Sequence, residues 1–340
     1  MKPIISNLYI YVLLLACYLC CSCEKELEYR GDETHPLLVL NSICNVGDVL
    51  ECTVMKSKFF LSDDRYVNEL LVDAMVEYRV NEGEWAAMKV DDTQPTPSSF
   101  ISEYVIKGGD VVELRVSHPD FETIAHAKQT APAELKAELL TYDLDEKTGK
   151  LIINVSLPPY AGQDEELAEY VTIFSQCVVD ALVHDPMGDE MLMTLHVNDF
   201  TISDPELIAA AQGTDNDSFF GGMGDLEDDP NKFYELTFLY NVIKKPREIA
   251  MEMDIDFGHI SVKKLTVMDL FFVVSTMSHE KKLFLQSMAD ADASANGMFS
   301  EKVQVYNNIE GGVGIFLISN NKYYQVYRNE NASDWGIYGD

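Results

Sequence analysis

The chain has 340 residues, 25 Lys and Arg against 57 Asp and Glu, and a formal net charge of −32. A hydrophobic content of 47% with 24% charged residues excludes wholesale disorder, and at about 150 residues per domain the length predicts about two domains. The acidic excess argues against nucleic-acid binding and against docking on anionic lipid through a basic patch, since both need clustered Lys and Arg.

Met1-Lys2-Pro3 is a short positive region, and residues 4–19 form the apolar core of a secretory signal. No later stretch is long enough to span a bilayer. Cys17, Cys20, Cys21 and Cys23 follow. Lipoprotein signal peptidases cut before a Cys that then carries acyl chains. Cys23 is the expected anchor, because polar chain begins at once with Glu24-Lys25-Glu26; Cys17, after Leu14-Leu15-Ala16, is the alternative. Residues 1–22 are then the signal and 23–36 a polar tether. Each buried CH₂ of an acyl chain contributes about 0.8 kcal/mol, so two or three chains hold firmly. The run Glu24-Lys25-Glu26-Leu27-Glu28 resembles the surface-export signal of Bacteroidota lipoproteins, which implies an outer-membrane, surface-exposed location. A solvated spacer without an address is the other reading.

Past the tether the periodicity is that of strands. Residues 37–44 and 50–56 are β-type runs around the turn Asn45-Val46-Gly47-Asp48, and the second alternates, with Leu50, Cys52 and Val54 on one face. Residues 74–80, 84–90, 110–116 and 121–127 continue the pattern, with Asn81-Glu82-Gly83-Glu84 as a tight hairpin. This count predicts an immunoglobulin-like β-sandwich over 37–133, without the Cys…Trp…Cys spacing of antibody domains. Ala131-Pro132-Ala133 marks the boundary to a larger antiparallel β domain over 134–330, with a tail at 331–340. Its predicted strands are 151–157, 170–179, 191–197, 234–240, 248–254 and at least one within 262–275. A closing pair, 303–306 and 315–318, is expected around a glycine turn. Two helices are expected: one capped by Asp204 with Pro205 at its first position, and one over 276–290.

Candidate chemistry is sparse. The seven His include no H-E-x-x-H and no helical i, i+4 pair, and no Ser lies in G-x-S-x-G. Cys44 and Cys52 sit on neighbouring predicted strands and can both face inward, so a disulfide between them is weighed against its strict geometry. Cys177 reads as a buried thiol. The glycine-rich insert at 213–230 carries Asp215, Asp217, Asp225, Glu227, Asp228 and Asp229, a set of carboxylates that could form a weak Ca²⁺ or ligand loop, although the EF-hand spacing is absent. Phe219 and Phe220 in the same insert are candidate aromatic ligand contacts. The stretch from Asp143 to Gly149 reads first as a hairpin turn.

The stretch Asn308-Ile309-Glu310-Gly311-Gly312-Val313-Gly314-Ile315-Phe316 resembles the C-terminal signature of a Bacteroidota lipoprotein family, domain of unknown function 4249. The Cys-Glu-Lys-Glu start, the Leu-Val-Leu-Asn-Ser opening strand and Phe200-Thr201-Ile202-Ser203-Asp204 are similar to that family as well. The resemblance spans essentially the whole mature chain. It implies an accessory role at the outer membrane beside a TonB-dependent receptor, and it carries no established activity. Physically, Gly311, Gly312 and Gly314 supply positive φ or close backbone approach, while Ile309, Ile315 and Phe316 fill a core. The expectation is a mainly β, lipid-anchored, non-catalytic binding or accessory protein. A structural or protein-interaction envelope role without a small ligand is the alternative, and a hydrolase stands third.

Overall fold

The computed structural model describes residues 35–58, 70–93, 98–161, 169–184, 190–212, 231–256, 262–295 and 304–332. It is mainly β, as expected. In chain order the first strands are β1 (Leu38–Asn45), β2 (Val49–Lys56), β3 (Met75–Val80), β4 (Ala86–Ala87), β5 (Lys89–Val90), β6 (Phe100–Val105), β7 (Val111–Ser117) and β8 (Ala125–Thr130). Then come β9 (Glu138–Asp145), β10 (Lys150–Leu157), β11 (Tyr170–His184), β12 (Glu190–Val197), β13 (Phe200–Ile202), helix α1 (Pro205–Gln212), β14 (Lys232–Phe233) and β15 (Glu235–Leu239). The chain closes with β16 (Arg247–Asp254), β17 (Val262–Met277), helix α2 (His279–Ala295) and β18 (Val313–Arg328). Among the described residues no helix is long and apolar enough to cross a membrane.

One long sheet, in the order β12-β11-β17-β18-β1-β2-β6-β5, backs two cores. A four-stranded sheet, β4-β3-β7-β8, closes the first core, and a five-stranded sheet, β14-β13-β16-β10-β9, closes the second. The alternation in β10, with Leu151, Ile153, Val155 and Leu157 all buried, shows why these segments are strands: every second side chain removes apolar surface from water.

β18 joins the two cores. Its first half runs parallel to β1, from Val39↔Val313 to Asn45↔Ser319, and its second half runs antiparallel to β17, from Met277↔Ser319 to Asp269↔Arg328. Ile309, Phe316 and Ile318 therefore fill the first core beside Leu38, Leu40 and Val54. The boundary drawn at residue 133 is corrected accordingly. The sandwich expected over 37–133 takes a strand from the end of the chain, because β1 would otherwise leave one edge unpaired.

The glycine motif is likewise not a hairpin. Residues 304–309 form no strand, Glu310 makes an isolated antiparallel bridge to His126, and the chain then enters β18. A Cβ on Gly314, at φ +125, would lie 2.1 Å from Leu40 O, and one on Gly311 2.3 Å from Ile124 O. These are the close approaches that exclude side chains. Asn308 pairs with the backbone of Phe316 in both directions, at 2.7 and 2.8 Å, so its amide completes the ladder where the strand is missing.

The disulfide weighed between Cys44 and Cys52 is absent; both are buried free thiols. The register Asn41↔Thr53 places Cys52 on the diagonal from Cys44 instead of opposite it. Cys44 Sγ instead donates to Glu51 O at 3.4 Å.

Candidate functional site

Phe200-Thr201-Ile202 forms β13 against β16, with Ile202 opposite Met251, and Ser203-Asp204 turns the chain into α1. Asp204 caps that helix as expected, its Oδ1 accepting from the backbone N–H of Glu206 at 3.0 Å and of Leu207 at 3.2 Å. The same carboxylate grips Arg247, the first residue of β16. Nε donates to Oδ2 and Nη2 to Oδ1, both at 2.6 Å, while Nη1 reaches Glu206 at 2.6 Å. The guanidinium holds the Asp204 carboxyl below its ordinary range.

Around this cluster opens a cleft of about 660 Å³, with Asn154, Lys245 and Glu248 on its walls. The 213–230 insert leaves from the end of α1 and returns into β14, which pairs with β13. Its ends therefore flank this half of the molecule. Asp215, Asp217, Phe219, Phe220, Asp225, Glu227, Asp228 and Asp229 lie outside the described residues, as do Cys17 and Cys23. Three donors of Arg247 are committed to carboxylates, so it positions the cleft walls. The mouth offers an ammonium, a carboxylate and an amide to a polar ligand.

A second cleft, of about 580 Å³, lies where the β9–β10 turn meets the start of β17. Ile255, Val262 and Leu265 give it apolar walls, and Lys147, Lys263 and Lys264 line it. The expected turn is present. Asp145 accepts from Lys147 N–H and from the Thr148 hydroxyl, and Gly149 sits at φ +71. Those bonds hold the Asp145 carboxyl below its ordinary range. Among the described residues no group of three or more His, Cys, Asp or Glu is placed to hold a metal ion.

Sequence reasoning missed a third cluster, on the outer face of the four-stranded sheet. Antiparallel register sets Glu77 opposite Arg115 and Arg79 opposite Glu113. The indole of Trp85 lies over both guanidiniums, 4.1 Å from that of Arg115 and 4.8 Å from that of Arg79. Glu113 also faces His126 at 3.2 Å. The available signal was the Glu-x-Arg pattern at 77–79 and again at 113–115, which crosses into ion pairs once those strands run antiparallel. Near the end of the chain, Tyr324 stacks on Phe272 with ring centroids 4.6 Å apart, and its hydroxyl accepts from Ala137 N–H at 2.9 Å.

Comparison with known proteins adds a family and two distant likenesses. The family described as Domain of unknown function (DUF4249) matches residues 24–325. Among solved structures, a DUF4785 family protein from Legionella pneumophila is 10% identical with a TM-score of 0.25, over 70% of this chain and 52% of its own. The T6 backbone pilin of Streptococcus pyogenes serotype M6 is 8% identical with a TM-score of 0.21, over 87% of this chain and 65% of its own. The chain thus spans about half the length of the first and under two thirds of the second. No curated protein matches.

Proposed function

The chain belongs to the DUF4249 family, and from that membership and its N-terminal sequence we propose a lipid-anchored, non-catalytic accessory protein of the bacterial outer membrane, partnering a TonB-dependent transporter. The observation that carries the reading is the order apolar 4–19, Cys23, then the acidic run Glu24-Lys25-Glu26-Leu27-Glu28. Acylation at Cys23 places two large β cores at the end of a short tether. The clefts beside Arg247 and Lys263 support a binding role, since they present polar groups of both signs around open space. Calcium in the 213–230 insert belongs to the same proposal as a ligand of that loop.

The test is to isolate the tagged native lipoprotein from outer membranes in mild detergent and identify what accompanies it. A stoichiometric TonB-dependent barrel is the expected result. A lone lipoprotein would remove the transporter from the proposal. Calorimetry of the mature chain with calcium separates the loop question: no heat and an unchanged melting temperature would end it.

A further inference from the structure

The end of the first sandwich where the tether enters carries four exposed apolar side chains from three separate segments. Leu37 is 44% exposed, Val72 54%, Met75 59% and Ile124 59%. Their placement at one end follows from the fold. Leu37 and Ser57 exchange backbone and hydroxyl bonds at 2.8 and 2.9 Å, which fixes the start of β1 beside the end of β2. Leu71 N–H donates to Val54 O at 2.9 Å, bringing Val72 to the same end. Met75 opens β3 opposite Ser117, and the next residue of β7, Val116, lies opposite Ala125, which follows Ile124. Gly312 joins the two sheets there, since a Cβ on it would lie 2.8 Å from Leu38 O and 3.1 Å from the Ala125 side chain.

We propose that this end is a foot that rests on the lipid bilayer, its four apolar side chains entering the interfacial layer while the rest of the molecule projects away. The proposal rests on the acyl anchor at Cys23. Fourteen peptide steps separate Cys23 from Leu37, and a chain of that length reaches at most about 50 Å, so the end that carries Leu37 is tied within that reach of the anchor. The opposite end is far away. β18 runs 16 residues from its start beside β1, about 50 Å at 3.3 Å per residue, and β17 continues beyond it. The ionic surroundings are mixed: Lys56 is exposed, Asp73 faces His118 at 3.0 Å, and Asp120 and Glu122 are exposed. Contact therefore comes from apolar insertion and not from attraction to anionic headgroups.

Leu192, 65% exposed on β12, is the control, being equally apolar but opposite Leu182, which pairs with Lys264 near the far end. Met75→Trp, Ile124→Trp and Leu192→Trp are made in the full lipoprotein and reconstituted into 3:1 phosphatidylethanolamine–phosphatidylglycerol vesicles, with and without dibrominated phosphatidylcholine. The unsubstituted chain corrects for Trp85 and Trp335. The expected result is at least twofold quenching of the added fluorescence at positions 75 and 124 and none at 192. Vesicle-bound protein with 75 and 124 unquenched overturns the foot, as does quenching equal at all three positions. Protein that does not float with vesicles and lacks acyl mass on its N-terminal peptide marks failure of the anchor reading instead. The same variants coupled through Cys23 to a maleimide lipid then decide the foot by the same quenching. Burial of position 75 in a dimer of the untethered chain, seen by sedimentation, would assign the surface to a second copy and overturn the proposal.

Discussion

Lys281 donates from Nζ to Ser319 Oγ at 2.5 Å, joining the first turn of α2 to the residue at which β18 exchanges β1 for β17 as its partner. Ser319 is fully buried, and burial pushes the Lys281 ammonium below its ordinary range while nearby Glu235 partly restores it. Glu235 is displaced the other way: burial raises its carboxyl, and Lys281 and Thr172 only partly offset that. Two opposite charges are thus both partly buried within reach of each other, and each would be costlier to bury without the other.

The raised carboxyl makes stability depend on pH in a defined direction. A group whose folded pKa lies above its unfolded value of 4.5 stabilises below that value, and the contribution is lost as pH rises through the folded one. Glu235→Gln removes the effect. Thermal melts of wild type and E235Q between pH 4 and 8 should show the wild type losing ground to the variant as pH rises. A difference constant across that range would show that Glu235 is not desolvated in the folded chain.

Gly314 and Gly47 both have positive φ, but only one is crowded. At Gly47, φ +99, a Cβ would meet nothing within 4 Å; at Gly314 it would strike Leu40 O. Gly47→Ala should cost only the conformational penalty, about 1–2 kcal/mol. Gly314→Ala must also part β18 from β1 and should cost several kcal/mol more, or abolish folding. Equal melting temperatures for the two variants would mean that the parallel β1–β18 pairing is not present in solution.

How much of this was legible in the sequence depends on the range of the interaction. The alternation of β2, the hairpin at Asn81 and Glu82, and the Asp204 cap are local, and their residues announce them within a few positions. Asn81 and Glu82 take φ 51 and 59 in a tight turn closed by Gly83 N–H donating to Val80 O at 2.9 Å, within a five-residue connection from β3 to β4. The β1–β18 pairing was not legible, because it joins segments about 270 residues apart and nothing in either marks the other. The glycine motif reads as a turn in the sequence for the same reason: close approach and reversal call for the same residue. β9 was missed because it is largely exposed and so lacks the apolar alternation that marks a strand. In the candidate site, Asp204 was found through its capping role, while Arg247 could be placed only once β16 was seen beside α1.

Asp204 serves two elements, so its loss should exceed that of a cap. Removing the cap costs about 1 kcal/mol, and the charge-assisted bonds to Arg247 add about 1.5–3 kcal/mol. Asp204→Ala is expected to destabilise by about 2–4 kcal/mol. Asp204→Asn, which still caps, should recover part of that. The sign with pH is opposite to that of Glu235: a carboxyl held below its unfolded value of 3.8 stabilises above that pH and the contribution is lost as pH falls through the folded value. Chemical denaturation at pH 7 and pH 3 checks both points, and equal stability of D204A and wild type at pH 7 would show that the Arg247 fork is not formed.

The three thiols of the body provide a test of both cores at once. Cys44 and Cys52 lie in the first core and Cys177 in the second. All three are free, and burial pushes every one of them up, Cys177 to about 12, with nearby Asp269 adding to the shift. The thiolate is the reactive form, so at pH 8 a dithiobis-nitrobenzoate titration of the folded chain, in a variant without the N-terminal cysteines, should show almost no reaction. After unfolding in guanidinium without reductant, three equivalents should react. One equivalent instead would mean that Cys44 and Cys52 are bridged, and hence that β1 and β2 are shifted from the observed register, since the diagonal placement does not bring the two sulfurs to bonding geometry. Because cleavage of such a bridge would be silent in the second core, the burst of Cys177 alone, followed as denaturant rises, also reports whether the two cores open together. With β18 spanning both, they should: one transition for all three thiols, at the same denaturant concentration as the loss of strand signal.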